Sequence, residues 1–492
     1  MRGLTPWRVL LAALVLLLVG AVGGWWTLLR PVPQPATNDP IARFNHGSIG
    51  NEASQGLPYW IWRVLPVVFA DRLPGDGKGY AAVGVHWEPG AELPVGFARK
   101  TLGVVPRVAP NCAFCHQGSY RLHADAPARL VTAGAGNRVD PQAYIRFLAA
   151  AGTDPRFTSN RLMAEILAIY DMPLWERALY RYVLIPATRA ALERQAERFA
   201  WTTTRPDWGP GRIDPFNPVK FQTLGLPDDG TIGNSDVMPL WRLHYPELEA
   251  ERGVALHWDG LLGDLHETVV AGAIGDGMTR RSYAEVDARL AEVTDFIRRQ
   301  GPPPSPFSPH RAPDDPFHVD PAAVAAGHAV FEAECALCHA PAGARFRTVI
   351  PQAEVGTDRH RLEMWTEAAR DRYAAYEPGY DWGFETFAKT DGYVATELTG
   401  LWLRGPYLHN GSVPTLRDML RPPEERPTRF WRGYDLVDAA NGGFVSAPGT
   451  PAERHGRLYD TARPGNGNGG HAYGTDLPAG TKDDLLAYLK TL

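Results

Sequence analysis

The chain has 492 residues, 50 basic against 55 acidic side chains, and a net charge of −5. That length buries a sizeable core and corresponds to roughly three average domains or two large ones. The 44% hydrophobic share excludes a disordered or collagen-like chain. The acidic balance excludes a nucleic-acid footprint, and four Cys exclude a disulfide-dense scaffold.

In chain order, the first predicted element is an uncharged run of 21 residues, Val9–Leu29, long enough to span a bilayer as a helix. Arg8 and Arg30 bracket it, Trp25 and Trp26 stand where an interface belt would lie, and Arg2 and Arg8 bias the N-terminus inward. The run exceeds a signal peptide's apolar stretch, so a retained anchor over residues 1–30 is expected, with a cleaved signal as the alternative. Either exports the rest. Arg30–Pro40 reads as a stiff spacer.

Residues 40–110 are rich in Gly, Pro and aromatics and predict turns and short extended pieces. The first chemical motif follows, Cys112-Ala113-Phe114-Cys115-His116. Residues 159–200 predict helix, capped at Ser159 or Asn160 and broken or kinked at Pro173 and Pro186. A clearer helix is expected over Ser282–Gln300, with Ser282 and Glu285 as a capping box. Gly301–Pro316 reads as the linker. Asp320 should cap a helix with Pro321 at its first position, leading into the second motif, Cys335-Ala336-Leu337-Cys338-His339. Thr481 should cap a last helix, which can cross the 320s helix at Gly327.

Both motifs read C-x-x-C-H, the attachment signature of c-type haem. Two thiols on one turn bond the macrocycle and the adjacent His ligates its iron. Together they use every Cys in the chain. A thioredoxin-type pair would not need the His, and about 220 intervening residues exceed zinc-ribbon spacing. Two covalent haems are expected, on Cys112, Cys115 and His116 and on Cys335, Cys338 and His339.

Beyond these motifs, Phe44–Trp62, Asn111–His116, His257–Gly260 (HWDG), Leu401–Leu420 and Gly465–Leu477 resemble the exported bacterial di-haem c-type cytochromes. These are related to di-haem cytochrome c peroxidases, and the closer likeness is to the rubber-oxygenase-like branch. The resemblance implies a mainly α fold of two cytochrome-c-like haem domains behind the transmembrane helix. The domains would be 1–30 anchor, 31–300 first haem domain, 301–316 linker and 317–492 second haem domain. It implies a bacterial inner-membrane location with the bulk in the periplasm. A Ca2+ between the domains is admitted by analogy, although no EF-hand-type motif is present.

The same resemblance supplies site residues. His471, in a Gly-rich loop, is the first candidate for the sixth ligand of the second haem, and His409 the second. Arg404 suits a haem propionate. His123, seven residues past His116, is too close to ligate the first haem. Its sixth position would be open, lined by His257, Trp258 and Glu267. Glu267 stands eight residues past Asp259, as the peroxidases' catalytic Glu does, and would shuttle a proton. Trp241 would relay electrons between the haems. The ordinary alternatives are a solvated loop His, a solvated helical Glu, a core Trp and, for Arg404, a surface ion pair. The implied function is a haem-dependent oxidoreductase enzyme. It would be peroxidase-like, taking peroxide or O2 at the first haem and passing electrons through the second, with a small electron-donor protein or a membrane quinol pathway as partner. The alternatives are an oxygenase cleaving an unsaturated hydrocarbon and a non-enzymatic electron carrier.

Overall fold

The computed structural model describes all residues except 1–5, 30, 33, 35–36, 76–77 and 377–383. The N-terminal expectation is corrected first. Pro6–Leu29 is one helix, but its described side chains over residues 10–24 are largely exposed. Among the described residues no helix is long and apolar enough to cross a membrane. The transmembrane helix, the inner-membrane anchor and the periplasmic placement that rested on it are therefore not upheld. The side chains of Arg8, Trp25 and Trp26, and all of Arg2 and Arg30, lie outside the described residues. The spacer is also pinned down. Pro31 and Val32 pair with Leu102 and Thr101, and Gln34 donates to the Arg99 carbonyl at 2.8 Å.

The expected pair of mainly α domains gives way to a mixed fold, 44% helix and 11% strand, with the remainder in turns and loops. A four-stranded antiparallel sheet joins Pro31–Val32, Phe97–Leu102, Val105–Pro110 and Leu57–Pro58 in that order. Its last long strand runs straight into the first motif. Behind the sheet, Tyr59–Val68, Pro141–Thr153, Ser159–Ile169 and Ile185–Arg198 enclose an aromatic core. Trp62 stacks on Tyr80 and its indole N–H donates to the Tyr144 hydroxyl at 3.2 Å. Thr158 rather than Ser159 caps the helix, Pro173 caps Leu174–Leu179, and Pro186 sits in the first turn of Ile185–Arg198. Pro173 thus stands at a break, between Ser159–Ile169 and Leu174–Leu179, and Pro186 follows a π-helical segment, Tyr180–Leu184, within a helical run that continues to Arg198.

The helix expected from Ser282 runs Arg280–Arg298, and its capping box joins Thr279 to Ser282. Glu285 instead pairs with the buried Lys100. The Pro-rich segment is packed rather than free: Phe307 is buried with Phe317, Trp402 and Trp241, and Ser305 donates to the Lys490 carbonyl at 2.6 Å.

In the C-terminal part Asp320 caps Pro321–Glu334 as expected, and that helix crosses Ala479–Thr491. A Cβ at Gly327 would stand 2.0 Å from the Asp484 carbonyl, so only a hydrogen fits there. Pro478, not Thr481, caps the last helix. The N- and C-terminal parts are joined by buried polar pairs: Arg432 with Asp236, Arg361 with Asp259 at 3.0 Å, and Arg212 with Asn466 at 2.8 Å.

Candidate functional site

The first C-x-x-C-H motif is a single helical turn, Cys112–Cys115, capped by Asn111. The Asn111 side chain accepts from Ala113 N–H at 3.0 Å and donates to the Gly47 carbonyl at 2.9 Å. It thereby ties the motif to the segment beginning at Phe44. Gly96 (φ +90°) lets the motif approach, because a Cβ there would meet the Phe114 backbone at 2.4 Å. All four cysteines are free, and one turn places Cys112 and Cys115 on the same side. His116 Nδ1–H donates to the Met238 carbonyl at 2.9 Å. Burial pushes His116 down to about 4, so its Nε2 keeps the lone pair a metal needs.

The second motif is built the same way. Cys335 ends the Pro321–Glu334 helix, Ala336–His339 forms the turn, and His339 Nδ1–H donates to the Thr396 carbonyl at 2.6 Å. His471 faces it, with ring centres 6.2 Å apart. Two imidazoles on opposite sides of one iron need a separation of roughly 6 Å. The donor set therefore fits a haem with two axial histidines. Burial holds His471 at about 4 and also lowers His339, which keeps both neutral.

His409 lies in a different environment. It is buried, stacks on Tyr393 at 3.9 Å, and has no partner for Nε2. Burial pushes it down to about 3, next to Asp358, Arg361 and Arg212. It packs the junction between the two parts of the chain.

Two buried guanidiniums complete the second site. Arg404 is pushed down to about 10, first by burial and then by the nearby charge of Arg347, and its own charge reaches His339. Arg404 Nε and both Nε and Nη1 of Arg347 have no hydrogen-bond acceptor. Unpaired buried N–H groups are costly unless an acceptor meets them, and two guanidiniums suit the two carboxylates of a haem. Arg404 was legible in the sequence. Arg347, eight residues past the motif, was not. Its signal is tertiary, since its backbone N–H donates to the Ala395 carbonyl, next to the residue that holds His339.

One segment touches both sites. Met238 holds His116, the Arg242 carbonyl accepts from Arg347 at 2.6 Å, and Trp241 between them is fully buried. The indole lies 6.0 Å from the Arg404 guanidinium, and on its other side it lines a small cavity with Gly118, Ser119 and Ala135, next to the first motif.

At the first site, His257 is held in the left-handed region at φ +63°. Its ring packs on Phe216 at 5.9 Å and Nε2 has no partner. Burial pushes it down to about 4, against the opposing pull of Asp259, with Arg361 and His116 also close enough to act on it. Trp258 is structural, donating to the Asp236 carbonyl at 2.8 Å. Glu267 is engaged elsewhere: its carboxylate accepts from the backbone N–H of Glu385 at 2.7 Å and of Thr386 at 3.1 Å, and from the Thr386 hydroxyl. His123 packs edge-on to Phe317. Sequence reasoning missed Asp276, which ends the Leu265–Gly275 helix. It is exposed at the helix end, and the protein mass around it pushes its carboxyl up. Its charge is felt at Cys112 and Cys115. Among the described residues no group of three or more His, Cys, Asp or Glu could hold a metal ion, so nothing there marks a Ca2+ site.

Residues 392–432 match the family described as RoxA-like, cytochrome c-like. That segment carries Thr396, Arg404, His409 and Arg426. The chain is also similar to the uncharacterized protein y4iM of Sinorhizobium fredii (strain NBRC 101917 / NGR234). The two are 33% identical over 219 residues, which cover 36% of this chain and 50% of that protein. The uncharacterized protein y4iJ of the same organism is 41% identical over 109 residues, covering 20% of this chain and 18% of that protein. The chain thus spans half or less of these relatives. The family match supports a haem-dependent, cytochrome-like oxidoreductase in general.

Proposed function

We propose that this chain is a di-haem c-type cytochrome enzyme whose two sites divide the labour. The second would exchange electrons, and the first would take O2 or peroxide. The observation that carries this reading is the asymmetry of the two motifs. His339 faces an imidazole at ligating separation, whereas Cys112 of the first motif packs against a mostly apolar cluster that includes Phe216, Leu256, Leu262 and Ile274. Haem iron bound at each site supplies the redox chemistry. Around it, Met238 and Thr396 orient the two motif imidazoles. Arg347 and Arg404 would neutralise carboxylates, and the buried Trp241 would give electrons an aromatic stepping stone.

Reducing H2O2 to water takes two electrons and two protons. Glu267 is an unsuitable carrier for those protons, because backbone amides hold both of its oxygens. Within the same reading, the apolar cluster around Cys112 favours oxidation of an unsaturated hydrocarbon by O2 over plain peroxide reduction, since only an apolar substrate gains from such walls. A small electron-donor protein or a quinol pathway would supply electrons in the peroxidase case.

The test is the electron paramagnetic resonance spectrum of the oxidised holoprotein, with mass spectrometry after acid–acetone extraction. We expect two retained haems, one low-spin and one high-spin. Two low-spin irons that react with neither peroxide nor O2 would leave only an electron carrier. Turnover with an alkene or with peroxide then separates the two enzymatic readings.

A further inference from the structure

The loop that carries His471 has almost no regular structure of its own. It contains Gly465, Gly467, Gly469 and Gly470, and a loop so rich in glycine leaves the backbone many conformations. Yet it holds a histidine at φ +45° directly after Gly470 at φ +71°. A Cβ at Gly470 would fall 2.2 Å from the Gly356 backbone. Left-handed backbone at a non-glycine residue persists only where surrounding contacts over-determine it, so some group must hold this loop.

The first half of the loop is held from two sides. Asn410 Nδ2 donates to the carbonyls of Gly465 at 3.2 Å and Gly467 at 2.9 Å, and Asp358 accepts from Gly467 N–H at 3.3 Å. The second half is held by the His471 N–H, which donates to the Val355 carbonyl at 2.6 Å, and above all by one buried cation. Arg426 Nη1 donates to the carbonyls of Asn468 at 2.7 Å and Gly470 at 2.8 Å. Its Nη2 donates to the carbonyl of His471 itself at 3.0 Å and reaches that of Met419 at 3.4 Å. Asn468 Nδ2 returns a bond to the Pro427 carbonyl at 3.1 Å. Arg426 is 3% exposed, and its four acceptors are all backbone carbonyls. These are the oxygens a loop without secondary structure leaves unsatisfied. A planar fork of donors can meet several of them at once, where an ammonium group cannot.

We infer that Arg426 is the positioning residue that fixes the Gly465–His471 loop so that His471 meets the iron held by His339. The inference rests on His471 being the sixth ligand of the second haem. Arg426 touches neither haem nor substrate. It acts through three carbonyls of the loop, one of them belonging to the ligand residue.

The experiment uses the ferric holoprotein with both haems and compares His471→Ala, Arg426→Gln and Arg426→Lys. The readouts are the spin state of each haem and the affinity of the second for added cyanide. His471→Ala should convert the second haem fully to high spin. Arg426→Gln should produce a partial high-spin fraction at the same haem. It should also tighten cyanide binding there by roughly tenfold to a hundredfold, the scale of lost charge-assisted hydrogen bonds. Arg426→Lys should fall between wild type and Gln, and it carries the test if Gln does not fold. The first haem, unchanged in both, reports that the rest of the protein is intact. If His471→Ala converts the haem while both Arg426 variants keep wild-type spin state and cyanide affinity, the inference is wrong and the ligand assignment stands. If His471→Ala leaves the second haem low-spin, the ligand assignment itself fails, and the inference with it.

Discussion

The two motif turns are nearly the same object locally, and almost everything else about them differs. Each is a single turn ending in a histidine whose Nδ1–H donates to a distant carbonyl, Met238 for His116 and Thr396 for His339. The second turn is then closed by an imidazole, two guanidiniums and a clamped loop. At the first, Cys112 packs against the largest core cluster, which includes Phe216 and Leu256, and His257 and Asp276 are the polar groups near the motif. A motif therefore states that a haem is attached but not what the haem does. The opposite side of the site decides that, and much of it comes from far along the chain: His471 lies 132 positions past His339.

The scaffolds differ too, and the largest predicted effect tests this. The second motif hangs from the crossing of the two terminal-part helices at Gly327. Gly327→Val would drive a side chain into the Asp484 carbonyl, which lies 2.0 Å from the Cβ position. Overpacking of this kind costs about 1–3 kcal/mol in a core that can shift, and more against fixed backbone. We expect thermal unfolding monitored at the second haem to move down sharply while the first haem keeps its spectrum. Coincident loss of both would mean that the two sites share one cooperative unit.

Gly327 also shows what the sequence makes legible. Its role follows from two helical patterns flanking a residue without a side chain, and the Asp320–Pro321 cap is equally local. The C-x-x-C-H turns are local as well, because attachment chemistry fixes their spacing. By contrast, the carbonyls that orient His116 and His339 lie 122 and 57 residues away. Arg347 and Arg426 look like any other arginine in a chain with 50 basic residues. The four-stranded sheet escaped notice because two of its strands are two-residue pieces, too short for alternation to register. The apolar N-terminal run was read from its length and lack of charge alone, whereas among the described residues no helix is long and apolar enough to cross a membrane.

His257→Ala sharpens the contrast from the reactive side. His257 is neutral, close enough for His116 to influence it, and its Nε2 is unpartnered. If it hydrogen-bonds what binds at the first haem, its loss should slow the reaction with peroxide or O2 by roughly a hundredfold, with both spin states unchanged. A change to a different first-haem spin state would instead make His257 a ligand and erase the asymmetry. Arg347→Gln probes the second site more gently. If Arg347 meets a haem carboxylate as proposed, removing its positive charge disfavours the reduced iron. The second haem's midpoint should fall by about 60 mV, a tenfold change for one electron, while the first haem's stays put.

The smallest predicted effect concerns Glu267, and it follows from one helix with a carboxyl at each end. Glu267 lies in the first turn of Leu265–Gly275, and Asp276 caps its last. The two are nine residues apart, about 14 Å along the axis. The offset from HWDG selects the first end, where the carboxylate is already occupied by the amides of Glu385 and Thr386. The charge that reaches Cys112 and Cys115 comes from the other end. Asp276 is exposed at that end, and the protein around it raises its carboxyl above the ordinary range. A raised carboxyl contributes fully below its unfolded value of about 4 and loses that contribution as pH rises. Asp276→Asn should therefore flatten the decline in unfolding measurements between pH 4 and 8, by little because solvent reaches the group. Glu267→Gln should leave the pH profile, both haem spectra and turnover within about twofold of wild type, at a stability cost of about 1–2 kcal/mol for weakened bonds to the 385–386 backbone. A hundredfold loss of peroxide turnover in Glu267→Gln would instead require the carboxylate to leave those amides during reaction, and would return the proton-carrying role to the first end of the helix.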